Sequence, residues 1–239
     1  MAKRESSRRT LLVTAANVGA TWMLAGCATT STGSAPRPEE PEGQKEEEEV
    51  SPAEDLMREH GVLRRVLLVY EESLRRLAGG ETVPPQTLAG GAQIIRRFIE
   101  DYHEKLEEQF LFPRFERAGK HLELVGVLRE QHARGRQLTA EVLRLATPES
   151  LSNPGSVASL TRTLRLFIRM YGPHAAREDT ILFPALRQVV SAHEYDALGE
   201  DFERKEHELF GASGFEGVVE EVATLEKALG IYELSSFTP

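Results

Sequence analysis

Two stretches of the chain carry the same residues at the same places. His103, Glu107, Leu111, Phe112 and Pro113 recur as His174, Glu178, Leu182, Phe183 and Pro184, at a constant offset of 71 residues. A single histidine stands upstream of each stretch, His60 lying 43 residues before His103 and His132 lying 42 before His174. The chain therefore reads as two copies of one unit, a single-histidine segment followed by a His-x-x-x-Glu segment.

Apolar spacing says what each unit is built from. Leu56, His60, Leu63, Leu67, Tyr70, Leu74 and Leu77 follow one another in steps of four and three, the seam of a long helix. Ser51-Pro52-Ala53-Glu54 opens it with an N-cap serine, a proline at the first helical position and a capping-box glutamate, and Gly79-Gly80 ends it. After Pro84-Pro85 a second helix carries Leu88, Ile95, Ile99, Leu106 and Phe110 and stops at Gly119. A third is expected over 121–145. The turn Asn153-Pro154-Gly155 precedes a fourth, with Leu160, Leu164, Phe167, Tyr171, His174, Glu178 and Ile181 on its seam.

Ser191-Ala192-His193-Glu194 has the form of another capping box, opening a shorter helix to about residue 210. An amphipathic segment around Val218, Val222, Leu225 and Leu229 follows. No strand pattern occurs. Short connections force sequential helices to be antiparallel neighbours, so the expected fold is all-α: an up-down-up-down four-helix bundle over 51–190 with a helical extension over 191–239.

Within that bundle His60, His174 and Glu178 take seam positions where leucine is expected, which directs ionisable groups inward at a cost of several kcal/mol each if uncompensated. Shared metal coordination removes the cost for imidazole and carboxylate together. At i and i+4, His103 with Glu107 and His174 with Glu178 share a helical face about 6 Å apart along the axis. Two such hairpins packed about a pseudo-two-fold axis bring four imidazoles and two carboxylates together, a nitrogen and oxygen donor set suited to iron or manganese and permissive of zinc. The sole cysteine, Cys27, lies far from this set and no thiolate site can be built. His121 and His193 fall at helix boundaries and are expected on the surface.

The pattern His60, His103/Glu107, His132, His174/Glu178, with Leu-Phe-Pro after each His-x-x-x-Glu, resembles the hemerythrin-like HHE cation-binding domain over about residues 53–190. That resemblance implies a pair of non-haem iron ions bridged by the two carboxylates and an oxo or hydroxo group, reactive toward a small oxidant: oxygen, peroxide or nitric oxide. Two departures qualify it. Oxygen-carrying hemerythrins have a second histidine one turn after the first on the third helix, where this chain has Arg136. They also end in His-x-x-x-x-Asp, and Asp179 stands five residues after His174, although the internal repeat favours Glu178 as the ligand. Asp179, Glu206 and His207 are the candidates for additional ligands, the last two on the fifth helix. A position left open on the metals points to binding or reduction of an oxidant more than to reversible carriage. Storage without turnover is the alternative, and a metal-free structural lipoprotein the third reading. No nucleophilic triad or phosphate loop appears, so no catalytic side chain is assigned.

The first 26 residues read as an export signal, with Lys3, Arg4, Arg8 and Arg9 before an apolar stretch from Leu11 to Gly26. Ser7-Arg8-Arg9-Thr10-Leu11-Leu12 resembles a twin-arginine signal, and Leu24-Ala25-Gly26-Cys27 a bacterial lipobox, which implies lipidation of Cys27 and anchoring at the bacterial cell envelope. Residues 27–50, rich in Ser, Thr, Pro, Gly and Glu, are expected to act as a disordered tether. Cleavage moves the formal net charge from −9 to −12, which argues against nucleic acid or anionic lipid as a partner.

Overall fold

The computed structural model describes residues 50–239; the export signal, Cys27 and all but the last residue of the tether lie outside the described residues. Among the described residues every regular element is helical and no strand occurs.

Helix α1 runs Pro52–Gly79. Its capping box forms as the sequence implies: the Glu54 amide donates to Ser51 Oγ at 3.4 Å and the Ser51 amide to Glu54 Oε2 at 3.0 Å. Gly80, at φ 71°, takes the left-handed conformation that a side chain would disfavour, and the next amide, of Glu81, reaches back to the Arg76 carbonyl. Helix α2 begins as Pro85–Ile94 and continues without a break to the segment Phe112–Ala118. Helix α3 spans Leu122–Leu145. Helix α4 begins at Pro154–Arg177, with Asn153 capping the Ser156 amide, and continues through the segment Phe183–Ala185.

One feature departs from the sequence expectation of plain α-helix. The backbone ladder of α2 widens to π spacing over Ile95–His103 and again over Glu107–Leu111, and that of α4 widens over Glu178–Leu182. The last two turns are equivalent in the internal repeat: each starts on the glutamate of a His-x-x-x-Glu unit. Each is followed by Phe-Pro, where the proline has no amide hydrogen to contribute to a ladder that is changing register.

The four long helices pack in a closed cycle, α1 on α2, α2 on α3, α3 on α4 and α4 on α1. Tyr70, Phe98, Phe112, Phe115, Phe167 and Phe183 fill the interior, each exposed by 1% or less. The two remaining long elements are α5, Ala192–Phe210, and α6, Gly214–Leu229, and Ser191 and Glu194 make the second capping box. Both lie on the α1–α2 side. Phe210 meets the edges of Phe98 and Tyr102 with ring centroids 5.4 Å away, Phe202 meets Phe110, and a bidentate pair joins Arg65 to Glu226 on α6.

Candidate metal centre

His60, His103, Glu107, His132, His174 and Glu178 come from all four bundle helices and meet in the interior, none more than 4% exposed. They form two trios. His60, His103 and Glu107 offer donor atoms within 4.8 Å of one another, and so do His132, His174 and Glu178. The trios interlock, because each carboxylate faces a histidine of the other trio. Glu178 Oε2 is 3.1 Å from His174 Nε2 and 3.3 Å from His60 Nε2. Glu107 Oε2 is 3.3 Å from His132 Nε2 and 3.8 Å from His103 Nε2.

Distances this short invite hydrogen bonds, yet neither oxygen of Glu107 or Glu178 is in hydrogen-bonding geometry with a donor, nor is His132 Nε2. His60 Nε2 and His103 Nε2 lie 3.0 Å apart, within hydrogen-bond reach of each other, while the carboxylate oxygens and His132 Nε2 converge unbonded on common points in a buried site, which is the chemistry of a cation cradle.

The outer nitrogens are arranged in the opposite way: every Nδ1 is tied. His60 donates to Asp179 Oδ1 at 2.7 Å, His103 to Glu59 Oε2 at 2.7 Å, His132 to Glu108 Oε1 at 3.1 Å and His174 to Gln131 Oε1 at 2.9 Å. Holding Nδ1 in this way aims each Nε2 inward, the orientation that metal-ligating histidines require.

These partners obey the repeat. Glu108 and Asp179 each follow a ligand glutamate, and each takes the single histidine of the other half. Glu59 and Gln131 each precede a single histidine and take the His-x-x-x-Glu histidine of their own half. Arg64 and Arg136, each four residues after a single histidine, ion-pair with Asp179 and Glu108. Phe183 stacks on His60 at 5.4 Å and Phe112 on His132 at 5.5 Å, which gives the Leu-Phe-Pro segments their function of pinning the rings.

Electrostatics agree with a cradle for positive charge. Burial is the largest influence on His60 and His132 and pulls both down, but Asp179 with Glu178 and Glu107 with Glu108 outweigh it, raising the two to about 9 and about 10. Burial pulls His103 down to about 4. It pushes Glu107 up, helped by the neighbouring charge of Glu178. Protons are thus drawn onto two imidazoles where cations would otherwise balance the carboxylates.

The three residues held in reserve as extra ligands take other places. Asp179 grips the outer nitrogen of His60. Glu206 is buried beside Asp55 and Glu59 and accepts from the Phe215 amide at 3.0 Å. His207 points to solvent. Arg136, which stands where an oxygen carrier has a histidine, closes a network on the outer side of the centre. It reaches Glu108 at 2.6 Å and Glu104 at 2.7 Å, and Glu104 accepts from the Tyr171 hydroxyl at 2.8 Å. Burial raises Glu104 to about 8. A Cβ on Gly135 would lie 1.9 Å from the Tyr171 hydroxyl, so a glycine is needed there.

Sequence reasoning did not single out Glu59, Arg64, Glu108 or Gln131. The signal was present, since all four belong to pairs at the same offsets as the ligands.

Comparison with known proteins gives the same reading. The family model described as Hemerythrin HHE cation binding domain matches residues 51–186 and again 123–230. The two matches start 72 residues apart, the spacing of His60 and His132. Relatives in Mycobacterium tuberculosis and Mycobacterium bovis, each described as an uncharacterized protein, are 48% identical over 235 residues, covering 97% of this chain and 91% of theirs. No solved structure matches the chain.

Proposed function

The chain belongs to the hemerythrin HHE cation-binding domain family, and from that premise we propose that it is a dinuclear non-haem iron protein that binds or reduces a small oxidant. The bundle is then up-down-up-down, with His60, His103 and Glu107 holding one metal and His132, His174 and Glu178 the other. Glu107 and Glu178, each facing histidines of both trios, would be the ligands shared between the two positions.

The observation that carries this reading is the contrast between the two faces of the imidazoles: the outer nitrogens are all tied to side chains behind them, and the inner nitrogens, His60 and His103 3.0 Å apart, gather around two buried carboxylates that accept no hydrogen bond. Two imidazoles and one oxygen from each of two carboxylates supply four donors per metal. Iron commonly takes six, so exchangeable positions are left for a small ligand, and bound iron supplies Lewis acidity and electrons there. The chain's own residues fix the inner tautomers, balance charge through Glu107 and Glu178, and exclude bulk water with Phe112, Phe183 and the surrounding aliphatic side chains.

The export and lipid-anchor reading of residues 1–27 joins this proposal as its address, the bacterial cell envelope. A twin-arginine route suits a protein that folds around its metal before export.

The test is the metal content and near-ultraviolet spectrum of protein purified without residues 1–27. Two irons per chain with ferric charge-transfer bands are expected. Fewer than one metal of any kind per chain after iron reconstitution overturns the proposal. Peroxide consumption at catalytic rates separates an oxidant-reactive protein from a store.

A further inference from the structure

We infer that the two metal positions are inequivalent, and that the His132–His174–Glu178 position is the weaker-binding and solvent-accessible one, set apart by Gln131 and the cleft beside it. The inference rests on the two-metal reading above.

Its first support is the only change of chemical type among the outer hydrogen-bond partners. Three imidazoles donate to carboxylates; His174 donates to the neutral amide of Gln131, at the place where the repeat puts Glu59 behind His103. A carboxylate makes the imidazole a stronger donor to metal and adds a negative charge close to the cation, and an amide does neither. The flanking arginines do not compensate, because Arg64 and Arg136 occupy equivalent places in the two halves.

Its second support is what lies outside each pair. Next to His103 and Glu59, helix α5 closes the surface: Gly199 lies so near Pro52 that an added Cβ would sit 3.6 Å from its ring, Glu206 sits with Asp55 and Glu59, and Phe210 covers Tyr102. The repeat places Leu124, Val127, Gln131 and Pro173 where Pro52, Asp55, Glu59 and Tyr102 stand in the first half. Among the described residues no helix covers them. They line, with His174 and Arg177, an open cleft of about 380 Å³. The first half has its groove filled by a helix, and the second has the same groove open with a ligand histidine on its wall.

Outer partners of ligating histidines change metal affinity by roughly 10–100-fold when altered. Metal-free full-length protein titrated anaerobically with ferrous ion should therefore bind two metals in steps separated by about tenfold or more. Gln131→Glu should tighten the weaker step and bring the two within about threefold, whereas Glu59→Gln should weaken the tighter step. Val127 is 45% exposed. Val127→Trp should fill the cleft and slow chelator extraction of the weaker metal by about tenfold while leaving both affinities unchanged, on the same scale. A wild-type protein that binds two metals with equal affinity, a Gln131→Glu protein that keeps the gap, or an extraction rate untouched by Val127→Trp overturns the inference and leaves the dinuclear reading intact. Absence of metal binding overturns both.

Discussion

The two halves of the bundle match closely where they face the metal cradle and diverge where they face outward. Inside, six convergent histidine and glutamate side chains, two π turns, two stacked phenylalanines and two arginine-held acids repeat one for one. Outside, the α2 positions Phe98, Tyr102, Leu106 and Phe110 correspond to Arg169, Pro173, Arg177 and Ile181 of α4. The first set is aromatic and apolar and lies on the side of α5; the second is not covered by any helix among the described residues. The difference teaches that inner side chains that meet one another constrain each other jointly, while each outer surface answers only to what packs on it. An added helical hairpin needs one apolar groove, and it found that groove on the first half.

The largest expected effect breaks the inner symmetry. Because Glu107 and Glu178 each face histidines of both trios, Glu107→Ala or Glu178→Ala should take metal content from about two per chain to well under one. His60→Ala or His132→Ala should lose about one. Elemental analysis decides it, and loss of a single metal in either glutamate variant would mean the carboxylates do not bridge.

Core packing supplies the next comparison. Leu111 and Leu182 are both fully buried at equivalent places, so truncation to alanine should cost about 2–5 kcal/mol in each and by similar amounts in urea unfolding. A much smaller cost on one side would show that half to be less tightly packed than its twin.

Arg64→Ala and Arg136→Ala sharpen the outer comparison. Both should weaken metal binding by roughly tenfold, with Arg136 the larger, because it holds Glu104 as well as Glu108. Equal losses in calorimetry would show that the Glu104–Tyr171 branch contributes nothing.

The smallest effect is a pH dependence common to both halves. In metal-free protein His60 and His132 are raised to about 9 and about 10 from the ordinary 6.5. A raised imidazole contributes stability that is fully present below 6.5 and lost as pH rises through the folded value, so chelated protein should become less stable between pH 7 and 10. Either substitution, His60→Gln or His132→Gln, should flatten that slope in thermal melts by about the same amount.

Most of this architecture was legible in the residues. Capping boxes at Ser51 and Ser191, the glycine at 80 and the three-four seams gave helix limits that the structure keeps. The six convergent side chains were legible for a different reason: ionisable groups in apolar seams have few tolerable explanations. Arg136 was read as a missing ligand, since single positions compared with a family pattern do not reveal that Arg64 is its twin. The π turns were not legible at all, because Glu107–Leu111 and Glu178–Leu182 have ordinary helical composition. His207 was attractive by sequence proximity to Glu206, but one step around a helix turns a side chain by roughly 100°, enough to separate a buried neighbour from an exposed one.

A π turn is a helix carrying one residue more than its ladder needs. Deleting that residue from Glu107–Leu111 of α2 would restore plain α spacing there, yet everything after it would swing round by roughly 100° and Phe112 would leave the ring of His132. The same deletion in α4 would take Phe183 from His60. Each half thus holds the other's histidine with a side chain whose bearing depends on its own surplus residue. Chain length at these two points behaves as a matched pair of keys: neither can be recut alone.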